Sequence, residues 1–482
     1  MRCSSTTFHM KAALVHPLGR LVMVAAMLMA LTLESKGQET DFSPYARFGL
    51  GTDQGILNPA LAGMAGITTV TGNSSAINAD QPASAAGLTH PTFQASIHSE
   101  TIGLIEGDQK ARAFTGGPGQ LGLVVKQPRS RSALSFGMTP LSSKAFSIQR
   151  IVEDSLLGSI AETYSGSGGM ARGYLGLATG WRGKGWVDAG SADSVLVSMR
   201  GLDAGFQVDH WFGDAIQTSR LDIADLSFRD VQSVTSMRNR ATGFVLGVEA
   251  FQVLKAKYSS SQEFEGSWVL RGGATWSPER TLQTDWKRLV ESTLILNGVA
   301  TSLDTSSYSE LTIEGVVPMA WSAGGSLQWD GPQGERLALF FDHHAQAWSS
   351  ANSSLPHLMS GSGLWGDARR SALGLTWQRG RSANRTIQPL WRSGFSWGHL
   401  PVVLDMDGDD EGDPLQEWRA SLGLTMPMQG SRSASQFHIG MDFGRRHTIN
   451  PELHTESTLR FQIGVSLTPF VKNLWLTPRL YD

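Results

Sequence analysis

The sequence predicts an all-β protein: an antiparallel transmembrane β-barrel of about 14 strands, up to 16, with an N-terminal plug segment. Three observations carry this expectation. In Trp321-Ser322-Ala323-Gly324-Gly325-Ser326-Leu327-Gln328-Trp329 the odd positions are apolar with a Trp at each end, and the even positions are polar or Gly. Side chains alternate across a strand, and eight steps of ~3.3 Å tilted by ~40° rise about 20 Å, close to the ~25 Å apolar band and aromatic girdles of an outer-membrane barrel. Trp321 and Trp329 are the expected membrane girdle. The same alternation recurs along the chain, and no run of about 20 apolar residues offers a spanning helix. Finally, 54 Gly and 15 Trp against 6 Tyr suit many short strands and an aromatic belt.

Residues 1–37 read as a signal peptide. Lys11 and Arg20 supply positive charge, Leu21 to Leu33 is apolar apart from Thr32, and Ser35-Lys36-Gly37 is an atypical cleavage region. The alternative is a buried N-terminal helix. Removal of this leader takes away Cys3, the sole cysteine, leaving no disulfide, thiolate nucleophile or Cys-bound metal. It also takes four basic residues and one acidic one, moving the formal net charge from −3 to −6, which disfavours nucleic acid as a partner.

Residues 38–90 are rich in Gly, Ala, Asn and Pro and keep no period, as in Asn58-Pro59, Gly63-Met64-Ala65-Gly66 and Asn78-Ala79-Asp80-Gln81-Pro82. They are expected to form a compact pre-barrel segment, a lumenal plug or a periplasmic extension. Residues 91–482 are the expected barrel. Phe93, Ala95 and Ile97 alternate with Gln94, Ser96 and His98, and Leu202, Ala204, Phe206 and Val208 with Asp203, Gly205, Gln207 and Asp209. Leu337, Leu339 and Phe341 oppose Asp342, His344 and Gln346. Trp418, Ala420 and Leu422 alternate with Arg419, Ser421 and Gly423, Phe437 to Phe443 with His438, Gly440 and Asp442, and Leu459 to Leu467 with Arg460, Gln462 and Gly464. A β-sandwich would alternate too; the leader, the Trp spacing and the strand number favour a barrel. Counted back from the last strand, connections alternate long (445–456, 400–416, 349–369, 300–316) and short (428–435, 380–385, 330–335, 278–283), as barrels do. The pattern weakens between 182 and 240.

Several segments resemble the FadL-like outer-membrane transport superfamily, the long-chain fatty-acid transporter type, in the form common in Bacteroidetes. They are Ser43-Pro44-Tyr45-Ala46-Arg47-Phe48-Gly49-Leu50-Gly51, Gly63 to Gly66, Ile77-Asn78 through Pro82-Ala83-Ser84, Gly137-Met138-Thr139-Pro140-Leu141-Ser142-Ser143, Tyr164 to Gly169 with Tyr174-Leu175-Gly176, and Glu456 to Leu467. Ala46, Ala65 and Lys144-Ala145-Phe146 depart from the pattern. The resemblance implies a 14-stranded barrel plugged by its N-terminal segment, in the outer membrane of a Gram-negative bacterium, that admits hydrophobic ligands and releases them sideways beside a kinked strand. Pro140 would mark that opening, with Asn78 and Pro82 along the passage. Proline favours a bulge or an edge; alternatively Pro140 merely ends its strand.

Other chemistry is weakly signalled. Asp405 to Asp413 alternates carboxylates as calcium loops do, but Asp410 and Gln416 stand where an EF-hand needs Gly and Glu. His343 and His344 point to opposite faces, so they do not share a metal, and Asp342 with His344 reads as a lumenal pair. No Gly-x-Ser-x-Gly elbow supports a hydrolase, and Gly166-Ser167-Gly168-Gly169 lacks a Walker lysine. Asp203, Asp209, Asp342, His344, Arg419, Asp442 and Arg460 are the expected lumen-facing polar residues, with Arg392. The sequence therefore points to a non-enzymatic barrel without cofactor or metal. Its expected role is passive uptake of small hydrophobic compounds such as fatty acids. The alternative is a structural or accessory subunit of a larger outer-membrane assembly (secretion, uptake or barrel insertion). Its partners would be outer-membrane lipid, a hydrophobic small molecule and other outer-membrane proteins.

Overall fold

Alternating sequence becomes one sheet that closes on itself. The computed structural model describes residues 43–71, 76–107, 109–126, 131–155, 158–188, 194–223, 229–259, 261–296, 299–359, 361, 363–380, 388–404, 412–428, 434–450 and 453–468. The expected leader 1–37 and residues 405–411 of the acidic loop lie outside them.

A two-residue strand β1 (Thr52–Asp53) precedes β2 (Thr92–Glu106), β3 (Gln109–Lys126), β4 (Ala133–Ser143), β5 (Phe146–Asp154) and β6 (Gly158–Asp188). Then come β7 (Ser194–Ile223), β8 (Asp230–Tyr258), β9 (Phe264–Ser277), β10 (Arg280–Leu296), β11 (Val299–Val317) and β12 (Ala320–Asp330). The series ends with β13 (Arg336–Gln346), β14 (Gly363–Leu364), β15 (Ala368–Gln378), β16 (Leu390–Leu404), β17 (Asp413–Pro427), β18 (Gln436–His447) and β19 (Thr455–Leu467). All pairings are antiparallel. The last barrel strand returns to the first, with Leu467 opposite Phe93 and Thr455 opposite Ile105, so the wall is closed by pairing. Around the ring β2, β3, β4, β6, β7, β8, β9, β12, β13, β15, β16, β17, β18 and β19 make 14 strands, the lower of the two expected numbers.

Three of these carry collinear extensions. β4 and β5 both pair with β6, one after the other, and are separated only by Lys144-Ala145. β9 and β10 both pair with β8, while β11 pairs with β10 and β12 with β9. The breaks fall at Pro278 and Pro318, residues that cannot donate to a ladder. This corrects two sequence expectations. Residues 300–316 are strand rather than loop, and 278–283 are a break inside a continuing strand rather than a short turn. The weak pattern of 182–240 has the same origin. β6, β7 and β8 run for 31, 30 and 29 residues, well past one membrane thickness, and beyond it a sheet has no reason to keep one apolar face.

Trp321 stands opposite Trp276 and Trp329 opposite Trp268, while Trp377 pairs with Trp391 and Trp397 with Trp418. Indole rings therefore mark both borders of an outward band that exposes Ile97, Phe206, Leu339, Leu422 and Phe461. The opposite face is polar and buried: Gln207, Asp209, Ser322, Gln328, Asp342, Ser421, Arg460 and Gln462. In water such a distribution would be inverted; in a bilayer it is the stable one. The chain is an outer-membrane β-barrel.

The described residues of 43–90 lie against that polar inner face. Asn58 caps the short helix Pro59–Ala62 by accepting from Ala60 N–H at 3.0 Å, with Pro59 at its first position. The segment then turns through Ala65 (φ 55°) and Gly66 (φ 74°). The wall accommodates it with inward glycines on successive strands: a Cβ on Gly423 would stand 2.8 Å from the Cα of Gly63, and one on Gly374 would stand 2.7 Å from Ile67. Gly205, Gly247, Gly273 and Gly394 are crowded in the same way by Pro82, Gln81, Thr69 and Met64.

Candidate functional site

Of the polar residues expected in the lumen, Asp342 and Arg460 bond the N-terminal segment directly, and Asp203, Arg419 and Asp442 pair with other side chains of the wall. Asp342 Oδ2 accepts the backbone N–H groups of Thr68 and Thr69 at 2.9 and 3.2 Å, and its Oδ1 accepts the Thr69 hydroxyl at 2.5 Å. Arg460 donates to Glu100 at 2.9 Å and to the Gln54 carbonyl at 2.7 Å. Arg419 joins Asp442 and Glu417 at 2.7 and 2.9 Å, and Arg446 continues the chain to Glu417 at 2.6 Å and Glu456 at 3.4 Å. Asp203 pairs with Arg182 at 2.5 Å. Gln207 donates to the Ala79 carbonyl at 2.9 Å and to Asp209 at 2.8 Å. Buried charges need such partners, and here the partners include backbone groups of 43–90 as well as other side chains.

Histidines 343 and 344 separate as alternation requires. His343 packs on Trp321, ring centroids 5.5 Å apart, and bonds Ser371 at 2.9 Å. His344 faces inward and lines a cavity of about 410 Å³. That cavity lies between the N-terminal segment and the wall. Its lining combines apolar side chains, among them Phe48, Leu50, Leu141, Met170, Trp211, Trp348 and Trp365, with the charged Asp80, Arg172, Asp209, Arg280 and Arg370. Arg172 is held by Asp80 at 2.7 Å and stands 3.9 Å from Asp209. Arg280 differs. Its guanidinium lies 4.5 Å over the Trp211 ring and donates to Ser277 at 2.5 Å, while its buried Nη1 has no hydrogen-bond partner among the described residues. The residue follows the Pro278 break, where no alternation extends, and so carries no sequence signal of its role.

On one side the wall is not continuous. β3 pairs with β4 only from Leu121 opposite Met138 to Lys126 opposite Ala133. Beyond Met138 the ladder to β6 shifts register between Pro140 and Ser142. There β4 leaves β3 and takes the N-terminal segment instead: Ser143 pairs with Thr52 and Ser142 with Asp53, and Gln54 N–H donates to the Leu141 carbonyl at 2.9 Å. Among the described residues, 109–120 of β3 thus have no strand on their β4 side. The cavity reaches both borders of this gap, Gln120 on β3 and Thr139 to Ser142 on β4. Of the residues expected along a passage, Pro140 lines the cavity. Asn78 is buried behind it, donating to the Thr68 carbonyl at 2.5 Å and accepting Asp80 N–H at 3.1 Å, and Pro82 packs against Gly205 and Gly247.

A family model described as BamG matches residues 20–482. The chain belongs to the BamG family. No match is found among curated protein sequences. Solved structures similar to this BamG-family chain include a Pseudomonas aeruginosa FadL homologue (13% identity over 86% of this chain and 99% of that one, TM-score 0.47). They also include the Pseudomonas putida toluene transporter TodX (13%, 86% and 98%, TM-score 0.49) and the Ralstonia pickettii toluene transporter TbuX (12%, 86% and 98%, TM-score 0.44).

At its outer end this BamG-family barrel is covered by residues 347–359 and 363–367. Trp348 and Trp365 stack at 4.6 Å, and Trp365 Nε1 donates to the Leu355 carbonyl at 3.0 Å. Both indoles belong to an apolar cluster with Met170, Met237, Leu282 and Leu355, against which Leu50 and Leu141 pack. The expected long connection 349–369 is therefore a folded cover over the cavity.

Proposed function

We propose that the protein mediates passive uptake of small hydrophobic compounds that carry one acidic head group, such as fatty acids. The single observation that carries this reading is the cavity beside the gap at Pro140, whose lining sets the unpaired Nη1 of Arg280 among apolar side chains. A buried guanidinium edge without an acceptor is costly, and a carboxylate would satisfy it with a charge-assisted hydrogen bond. The tail would lie on Trp211, Leu141 and Met170 and leave between β3 and β4. In this reading residues 38–90 are the plug that prevents free aqueous flow, and catalysis has no part. Mass spectrometry of the detergent-extracted protein tests it. A bound fatty acid is expected, and Arg280→Gln should lower its occupancy by about tenfold or more, the loss of one charge-assisted bond. Retention of the same acid by R280Q, or no amphiphile at all, would count against it.

A second reading, a structural or accessory subunit of a larger outer-membrane assembly, is supported by a different feature. Past the roots of β10 and β11, where Arg280 still lines the cavity, the sheet formed by β5, the outer parts of β6, β7 and β8, and the rest of β10 and β11 continues beyond the aromatic band and away from the cavity lining.

A further inference from the structure

The tall side of the barrel ends on β11, and nothing among the described residues pairs with its outer edge. β13 stops at Gln346, level with Ala320, so β11 continues alone outward from there. The cover segment reaches only its root, where Ser354 Oγ accepts Val316 N–H at 3.2 Å. This bond also orients the strand. Val316 N–H points away from β10, and backbone groups alternate sides in an antiparallel strand. From Ser307 to Val317 the register with β10 is unbroken, so Tyr308, Glu310, Thr312 and Glu314 also direct their N–H and C=O groups to the free edge.

Natural edges are usually protected by lysines, prolines, bulges or brevity. Here the two irregularities lie near the tip, at Ser306 and Leu303, and the eight residues 307–314 are regular. No Lys or Arg occurs between Arg288 and Arg336, and no Pro within 299–317. The side chains are sorted by face. Tyr308, Glu310, Thr312 and Glu314 share one; Ser307, Ser309, Leu311 and Ile313 share the other. Glu310 is engaged by Lys287 at 2.8 Å and by the Tyr308 hydroxyl at 2.7 Å, whereas Glu314 and Asp304 have no basic partner among the described residues. Tyr308 and Leu311 are 58% and 56% exposed, with no surface against them.

We propose that residues 307–314 of β11 accept, by strand addition, an extended segment of another outer-membrane or cell-surface protein that alternates basic with apolar residues. Main-chain bonds to the four free-edge residues provide the docking, as in other sheet-edge recognition. Basic side chains meet Glu310 and Glu314, and apolar ones cover Leu311 and Ile313. A second copy of this chain is a poor occupant, because its own β11 would set acidic residues against acidic residues. The contact rests on the reading of the protein as part of an assembly and is independent of uptake through the lumen.

The mature chain has no cysteine, so Ser309→Cys labelled with a benzophenone on intact cells gives a single cross-linking position. The expected adduct is with one other surface-exposed protein, at a segment with the alternating basic and apolar pattern. Thr312→Pro removes a free-edge N–H while leaving the β10 ladder intact, and should lower the adduct by about tenfold or more, as loss of one edge hydrogen bond plus strand fit implies. Thr312→Ser should not lower it, and Glu310→Lys with Glu314→Lys should, which covers the case that T312P fails to fold. An adduct with lipid or with a second copy, or one indifferent to T312P and to the charge reversal, overturns the proposal for β11. If the protein instead co-purifies with a partner while β11 stays unlabelled, the assembly reading stands and this site falls; a protein that is solitary in native membranes removes both.

Discussion

Lys144 shows how one residue can mark the boundary between the wall and the N-terminal segment. It fills the interruption between β4 and β5, is 2% exposed, and donates to the Arg47 carbonyl at 3.2 Å. Its own N–H bonds the Gly168 carbonyl, and from Gly168 the ladder runs across Ala215 and Met237 to Trp286, on the extension beyond the Trp276–Trp321 border. The amine therefore sits outside the membrane band. Burial lowers its pKa from 10.5 to about 7. The unfolded chain then binds more protons than the folded one between pH ~7 and ~10.5, so stability rises with pH through that window and is flat below it. The heat-denaturation midpoint should climb on going from neutral to alkaline pH, by an amount corresponding to at most a few kcal/mol, roughly 1.4 per pKa unit. In Lys144→Met the climb should vanish; an equal climb in the variant would assign it to other groups. Ala65 is the other telling residue. It occupies φ 55°, a left-handed position that favours glycine, and its N–H is fixed by Ser421 Oγ at 2.6 Å. The inserted turn thus tolerates a cost of about 1 kcal/mol because the wall holds it.

At the scale of elements, legibility followed the solvent. Wherever one face meets lipid and the other the lumen, as in Trp321–Trp329, Leu459–Leu467 or Leu202–Asp209, the sequence alternates and both strand and facing could be read. β11 was read as loop because both its faces meet water, and a Ser/Thr-rich strand such as Thr301 to Thr312 has no reason to alternate. The inward glycines were visible in the alternation, yet their meaning depends on what passes within 3 Å of them, which only the folded segment reveals. The β4 departure was legible through Pro140, its replacement partner was not: β1 is two residues long. That pairing can be tested directly. Thr52 and Ser143 face each other in an antiparallel ladder, where Cα atoms lie ~4.5–5.5 Å apart, within the reach of a disulfide. Thr52→Cys with Ser143→Cys should oxidise readily in a chain whose one native cysteine, Cys3, lies in the expected leader. If ligands leave where β4 parts from β3, the staple should slow fatty-acid uptake by about tenfold or more, and reduction should restore it, since segment 50–54 then moves with the opening rather than away from it. Unchanged uptake in the oxidised protein would mean that release needs no movement of β1.

For the molecule as a whole, the question is what the 14-stranded wall would be without its contents. A barrel of this size with inward polar side chains encloses water unless something fills it. Here the wall is adapted to filling. Asp342, Arg370, Arg460 and Gln462 spend hydrogen bonds on the backbone of Thr68, Thr69, Gly66, Gln54 and Ile56, and glycines replace side chains where that backbone passes. Because the closing ladder between β19 and β2 involves none of residues 43–90, the wall has its own hydrogen-bonded continuity. Deletion of residues 43–90 should therefore leave a less stable but inserted barrel whose freed carboxylates and guanidinium groups hydrate. In planar bilayers the deletion variant should pass ions steadily, at least about tenfold above the intact protein, as expected of an open aqueous lumen; the proposed fatty-acid binding should be lost as well, because Phe48 and Leu50 leave the cavity. An intact protein that conducts as freely as the deletion variant would show that the segment does not close the lumen. The charged inner face would then have to be understood as the lining of a pore rather than as the seat of a plug.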